Sequence, residues 1–254
     1  MAGLTMPVLI ALGLFGLVGG VGITAVGPGG VLPTIGLFAL TDLSPAEVAG
    51  TAIVTHIATG ALATAAYTRS GQLREPETRR TALILAASAV VGTPIGVVIN
   101  TFVSKRAFGL VLGVFVAGVA TLVWYRERHH PAATRAHPPA PLLAGLGFAV
   151  ALAAGIVGIG GPMLTVPLLV ALGVPVLESL ASAQAQSIVI AGVGTLGYLA
   201  HGTINWPLAA LVGIPELAGV LLGWKIAHAL PTRSLKLALI ITLFVLAPYL
   251  ALHD

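Results

Sequence analysis

Gly27-Pro28-Gly29-Gly30 and Gly158-Ile159-Gly160-Gly161 are the two stretches that decide how this chain is built. They lie 131 residues apart. The same shift carries Thr34 onto Thr165, Glu47 onto Glu178, Thr51 onto Ser182, Tyr67 onto Tyr198, Gly71 onto Gly202 and Gly92 onto Gly223, with no gap. Each cluster interrupts a long apolar run. A matched pair of Gly/Pro-broken hydrophobic segments marks where internally repeated secondary transporters bind their cargo.

The rest of the composition puts those runs in lipid. Of 254 residues, 57% are hydrophobic and 8% charged, and the mean hydropathy is +1.03. Soluble domains carry roughly 25% charged residues. A core of this size cannot hide so much apolar surface from water, so the expected solvent is a lipid bilayer. The 32 glycines and 17 prolines fit helices packed in a membrane. The basic balance does not point to nucleic acid. The Lys and Arg residues sit in short loops and form no basic face interleaved with aromatics. The absence of cysteine excludes disulfides, thiolate metal sites and Cys nucleophiles. No basic n-region or convincing cleavage site marks the first apolar run as a removable signal.

Apolar runs fall at 6–26, 31–40, 48–68, 81–102, 107–125, 141–157, 162–172, 180–200, 207–230 and 235–252. Most approach the ~20 residues a helix needs to cross a bilayer. The runs at 31–40 and 162–172 are too short, and both follow a glycine cluster. Each reads as a half-helix or a strongly tilted segment behind a break. The polar, Pro-rich stretch 126–140 separates a first transmembrane repeat (1–125) from a second (141–254). If each repeat crosses five times, counting the short segment, the repeats are inverted. Ten of the twelve Lys and Arg then share one side, leaving Lys105 and Arg106 on the other. With four crossings the repeats are parallel and the split is seven to five. The positive-inside rule favours the inverted arrangement, with both termini outside. The expected fold is an all-α polytopic membrane protein of two inverted repeats, each with a Gly-rich broken or short helix.

Gly27-Pro28-Gly29-Gly30, the string Leu40-Thr41-Asp42-Leu43-Ser44-Pro45-Ala46-Glu47-Val48-Ala49-Gly50-Thr51, and Gly158-Ile159-Gly160-Gly161-Pro162-Met163-Leu164-Thr165-Val166-Pro167-Leu168-Leu169 resemble the duplicated signatures of the TauE/SafE family. This is also called the toluene sulfonate uptake permease family. The resemblance covers nearly the whole chain. It implies a multi-pass protein of a bacterial inner membrane that moves sulfite or organosulfonates, without cofactor and without enzymatic chemistry. Export of sulfite or a two-carbon sulfonate is the expected direction. A channel-like anion permease and a carrier of small carboxylates are the alternatives, and an intramembrane enzyme ranks behind both. Pro28 inside the glycine run and the early Pro33 depart from the commoner pattern, which argues against equal contributions from the two halves. Homo-oligomerisation stays open.

The residues themselves suggest how an anion would be held. A break leaves the first N–H groups of the following half-helix unpaired, and with the helix dipole these attract an anion. Gly27, Gly29 and Gly30 would face Gly158, Gly160 and Gly161, holding a sulfonate where no arginine lies deep in an apolar run. The competing role for these glycines is close helix packing. Thr51, Thr55 and Thr59 share one helical face. The shift answers Thr51 and Thr55 with Ser182 and Gln186, and Gln184 and Ser187 lie on adjacent faces. Thr51, Thr55, Gln184, Gln186 and Ser187 are therefore candidate substrate contacts, against interhelical or back-bonding roles.

His56 and Glu216 lie well inside apolar runs, where a charge costs at least ~2.5–3.5 kcal/mol and suggests function. His56 suits an anion contact or a proton carrier, or else a neutral ring bonded to a carbonyl. Glu216 suits proton coupling, or a structural pairing with Lys225 or a histidine. His129, His130 and His137 lack ligand partners at fixed helical spacing, and no metal site is expected. Tyr67, Tyr198, Trp124 and Trp206, near segment ends, read as interfacial anchors.

Overall fold

The computed structural model describes residues 4–104 and 138–231, with scattered positions between 106 and 125 and at 234, 237 and 241. The linker up to residue 137 and most of the run 235–252 lie outside the described residues. Among the described residues every regular element is helical. The elements are α1 (Met6–Ala25), α2 (Leu32–Leu40, entered through a 3-10 turn at Pro28–Val31), α3 (Pro45–Arg69), α4 (Pro76–Asn100), α5 (Ala140–Val157), α6 (Pro162–Ala171), α7 (Val176–Ala200) and α8 (Trp206–Ala229). All but α2 and α6 are long and apolar enough to cross a membrane.

Local sequence sets the helix starts. Ser44 caps α3 in a capping box: the Glu47 backbone N–H donates to Ser44 Oγ at 3.3 Å, and the Ser44 backbone N–H donates to Glu47 Oε2 at 2.9 Å. Such reciprocal capping satisfies two donors that a helix end would otherwise leave free. Asn205 Oδ1 accepts from the Leu208 N–H and does the same for α8.

The glycine clusters end α1 and α5 in the same way. Gly27 (φ 107°) and Gly158 (φ 74°) sit in the left-handed region. The N–H groups of Val26 and Gly27 converge on the Gly22 carbonyl, and those of Gly158 and Ile159 on the Ala154 carbonyl. A glycine with positive φ closes a helix while satisfying its last carbonyls. The chain then turns back. Gly29 lies on Gly22, Pro33 on Gly19 and Gly36 on Phe15, so α2 retraces α1. On the other side Leu143, at the start of α5, shares a buried cluster with Leu169 and Val174 at the end of α6. The short segments are therefore return arms of hairpins whose tips lie inside the protein. The tilted-segment reading does not describe them.

Around the hairpins the packing exchanges partners. Helix α1 runs beside α8, with Gly219 against the Leu17 carbonyl and Gly223 against that of Val21. Helix α5 runs beside α4, with Gly92 against the Phe148 carbonyl and Gly96 against that of Leu152. Helices α3 and α7 cross antiparallel at the centre: Gly50 lies by Tyr198, and Gly60 by Ile188.

The 131-residue shift carries the bounds of α3 onto those of α7. It also carries Leu17 and Val21 onto Phe148 and Leu152. By their contacts, however, Gly92 and Gly96 answer to Gly219 and Gly223, a shift of 127. The last of these helices has slipped by one turn, so the pairing of Gly92 with Gly223 does not survive in the packing.

Tyr67 and Tyr198 are fully buried. Their hydroxyls donate to the Thr24 and Gly155 carbonyls, both at 2.6 Å. They are internal struts that hold the last turns before each break, and the reading as interfacial anchors fails for both. A phenol whose hydroxyl finds a carbonyl can sit this deep without an unsatisfied donor.

Candidate functional site

The two hairpin tips meet near the middle of α3. A Cβ on Gly27 would stand 3.0 Å from the Pro162 carbonyl, and Thr34 Oγ1 donates across to the Gly158 carbonyl at 3.3 Å. Between the tips stands the ring of His56. A Cβ on Gly30 would lie 3.6 Å from its Cε1. A Cβ on Gly160 would lie 3.4 Å from its Cγ and 2.8 Å from Ser187 Oγ. Glycine at these two positions brings bare backbone against the imidazole from both sides.

Glu216 closes the cluster from α8, following Pro215 within that helix. Its Oε1 lies 3.2 Å from His56 Nδ1, and both side chains are 0% exposed. Among the described residues His56 Nε2, Ser187 Oγ and Glu216 Oε2 have no hydrogen-bond partner. Leaving a buried polar atom unpaired costs ~1–3 kcal/mol, so several in one place call for a ligand or a proton to be exchanged there.

The backbone of the two tips is unequal. Gly161 precedes α6 without a side-chain cap, and Pro162 at its first position has no N–H. The N–H groups of Gly160 and Gly161 take no backbone partner among the described residues. On the other tip the chain passes through the 3-10 turn straight into α2, and the Leu32 N–H donates to the Gly29 carbonyl. At the second tip two adjacent N–H groups, and at the first tip that of Gly29, thus take no backbone partner among the described residues, and donors of this kind attract anions.

The structure brings together Gly30, His56, Gly160, Ser187 and Glu216. The remaining candidates have other contacts, and the Oε1 of Gln184 has no hydrogen-bond partner among the described residues. Thr51 Oγ1 accepts from the Asn205 N–H at 2.9 Å. Thr55 Oγ1 donates within its own helix to the Ala52 carbonyl. Gln184 Nε2 donates to the Ile23 carbonyl at 2.8 Å, across to α1. Gln186 Oε1 accepts from Thr165 Oγ1 at 2.6 Å, and its Nε2 donates to the Gly147 carbonyl at 3.2 Å. Gly161 lies beside that same Gln186 oxygen. Gly29 and Gly158 meet backbone, at Gly22 and Ala49.

Gln186→Ala is therefore expected to cost ~1–3 kcal/mol, because it strands a buried hydroxyl and a carbonyl. Unfolding in detergent with ligand titration in parallel checks this. Intact stability with weakened ligand binding would return Gln186 to the list of contacts.

Thr34 and Thr165 are the residues that reading the sequence passed over as site elements. Both are buried, and both tie a hairpin arm to its surroundings. The signal was present: they are a matched pair in the repeat, seven and seven residues after Gly27 and Gly158.

Comparison with known proteins agrees with this architecture. Across residues 12–250 the chain matches the family described as sulfite exporter TauE/SafE. It is similar to a probable membrane transporter protein ORF9 from Sinorhizobium sp, with 31% identity over 93 residues, 37% of this chain and 36% of that protein. The match thus spans about a third of that relative's length. No solved structure matches the chain. Because the family match runs through both hairpins and all five clustered residues, the chain belongs to the sulfite exporter TauE/SafE family.

Proposed function

We propose that this protein is a secondary transporter of small sulfur-containing anions, sulfite or a two-carbon organosulfonate, exporting them by alternating access across a bacterial inner membrane. The observation that carries the reading is the imidazole of His56, framed by Gly30 from one hairpin and Gly160 from the other. The His56 Nε2–H, the Ser187 hydroxyl and the free N–H groups of Gly160 and Gly161 form the donor set for a tetrahedral or pyramidal oxyanion. Such donors suit sulfonate oxygens at less electrostatic cost than a buried arginine.

The coupling ion in this reading is the proton. With the proton on His56 Nδ1 and Glu216 ionised, the imidazolium attracts the anion. Releasing that proton to the water on one side leaves a neutral ring beside the Glu216 carboxylate, and attraction gives way to repulsion. The net charge of the pair falls from zero to minus one, so the proton and the anion leave together and the grip of the site follows pH. Ser187 stands where the shift would put a second histidine, so the molecule carries one such switch. A hairpin that turns back inside the protein adds no crossing, so α3, α4 and the apolar run 107–125 leave the first repeat with an odd number, and we read residues 1–125 and 141–254 as the two inverted repeats, joined by 126–140. The antiparallel crossing of α3 and α7 supports this, as do their coincident bounds under the 131-residue shift.

The test is thermal stability of the purified protein against sulfite, thiosulfate, sulfate, taurine, isethionate, sulfoacetate, acetate and lactate. A ligand at 100 times its Kd adds ~2.7 kcal/mol, visible as a raised melting temperature. Sulfite or the sulfonates are expected to give that shift, and Gly160→Ala to remove it while the apo protein stays folded. Its new methyl meets movable side chains. Stabilisation by acetate or lactate alone would overturn the substrate. Flux through liposomes that fails to saturate would replace the carrier with a pore.

A further inference from the structure

Away from His56, where α3 turns into α4, the protein has an open cavity of about 590 Å³. Arg74, on the turn between the helices, and Arg79, in the first turn of α4, line its mouth. Both are exposed. Among the described residues neither has a carboxylate partner, whereas the neighbouring Arg80 pairs with Glu77 at 3.3 Å. Apart from Thr68 the wall is apolar: Leu73, Ala82, Leu83 and Ala86, with Ala185 from α7.

Leu83 is 61% exposed on a helix long and apolar enough to span the bilayer, so it faces the acyl chains. Arg79, Leu83 and Ala86 follow each other at i, i+4 and i+7 along one side of α4. At 1.5 Å per residue they run about 10 Å from charge to hydrocarbon. Two unpaired guanidiniums at the surface and an apolar wall below them match the shape of an amphiphile. A soluble anion would use the arginines and leave the Leu83–Ala86 side unexplained. This end of the protein is also the one that the loop charges place at the cytoplasmic surface, where anionic lipids attract basic residues.

We infer that the cavity between α3, α4 and α7 binds the phosphate headgroup of an anionic phospholipid. Arg74 and Arg79 hold the phosphate, and an acyl chain lies along Leu83 and Ala86. The site does not depend on the transport reading. It would clamp the α3–α4 turn to α7, close to where Ser182 Oγ donates to the Thr78 carbonyl at 3.2 Å.

The experiment compares the parent protein with Arg74→Gln/Arg79→Gln, titrated in neutral detergent with phosphatidylglycerol, phosphatidylcholine or glycerol phosphate. Melting temperature is read alongside native mass spectrometry of retained lipid. Both arginines are exposed and unpaired, so the variant should fold. Phosphatidylglycerol is expected to stabilise the parent and phosphatidylcholine is not. The double variant should bind phosphatidylglycerol about thirtyfold more weakly, about fivefold for each arginine. Arg80→Gln, whose charge is already paired, should bind as the parent does. Equal affinity of the double variant and the parent would overturn the site. Stabilisation by glycerol phosphate as strong as by the lipid would overturn the lipid as its occupant.

Discussion

Glu216→Leu is expected to destabilise this protein by ~3–5 kcal/mol, and adding His56→Leu to it is expected to recover most of that loss. Both side chains are fully buried, 3.2 Å apart, with no other hydrogen-bond partner among the described residues. Removing the carboxylate from an ionised pair leaves an imidazolium alone in a low-dielectric interior, and that is the costly state. Removing both groups leaves no buried charge, and replacing a buried pair by apolar side chains of similar volume is often neutral. Unfolding of the two single variants and the double variant gives the coupling energy directly. Transport should follow a different order. Glu216→Gln keeps the shape and loses the proton site, so its flux should no longer vary with pH. The double variant should be stable and inactive. A Glu216→Leu variant within ~1 kcal/mol of the parent would show that no charge separation is kept there, and a pH dependence unchanged in Glu216→Gln would remove the proton from the mechanism.

Gly219→Leu is expected to have the second large effect, on folded yield. Any Cβ at Gly219 would run into the Leu17 carbonyl and stand 2.8 Å from the Val21 nitrogen. These are main-chain atoms of α1 and cannot rotate away. The two helices must separate, and overpacking of this kind costs ~1–3 kcal/mol or more. In a membrane there is little hydrophobic drive to compensate, because association rests on close packing of small residues. Gly145→Ala is the matched control. A Cβ there meets nothing within 4 Å, so the change should be neutral or gain up to ~1 kcal/mol from helix propensity. Equal yields for the two variants would show that the close approach of α1 and α8 is not what holds the fold.

The sequence made the helices legible because their cause is local. Apolar length, proline at first turns and glycine at the breaks all lie within a few residues of what they determine. The runs at 31–40 and 162–172 were recognisably too short to cross. That they fold back was not legible, because it depends on Gly22 meeting Gly29 across the tip. His56 and Glu216 stood out singly, since a charge-bearing group in an apolar run is costly wherever it points. Their meeting is a tertiary fact, 160 residues apart in the chain. Of the two partners considered for Glu216, the structure supplies the histidine and leaves Lys225 near the end of α8. The partners of the two buried glutamines were not legible, because they lie on other helices. Both ends of the Gln186 amide are taken, by the Thr165 hydroxyl and the Gly147 carbonyl, whereas Gln184 donates to the Ile23 carbonyl and its buried Oε1 has no partner among the described residues. The one-turn slip of α4 against α8 was invisible, because glycines four apart occur in both helices and either register reads well.

The exchange of partners between the two halves also sets a timetable. Thr24 Oγ1 donates to the Val220 carbonyl, 196 residues later in the chain, and the neighbouring turns of α1 rest on α8 throughout. At 5–20 residues per second, the ribosome needs about 10–40 s to deliver that partner after α1 has emerged. During this interval Gly16 and Gly20, which meet the Val212 and Glu216 carbonyls of α8 in the finished protein, lack those partners. A truncation before residue 219 should therefore leave α1 without the C-terminal half of the helix it packs on.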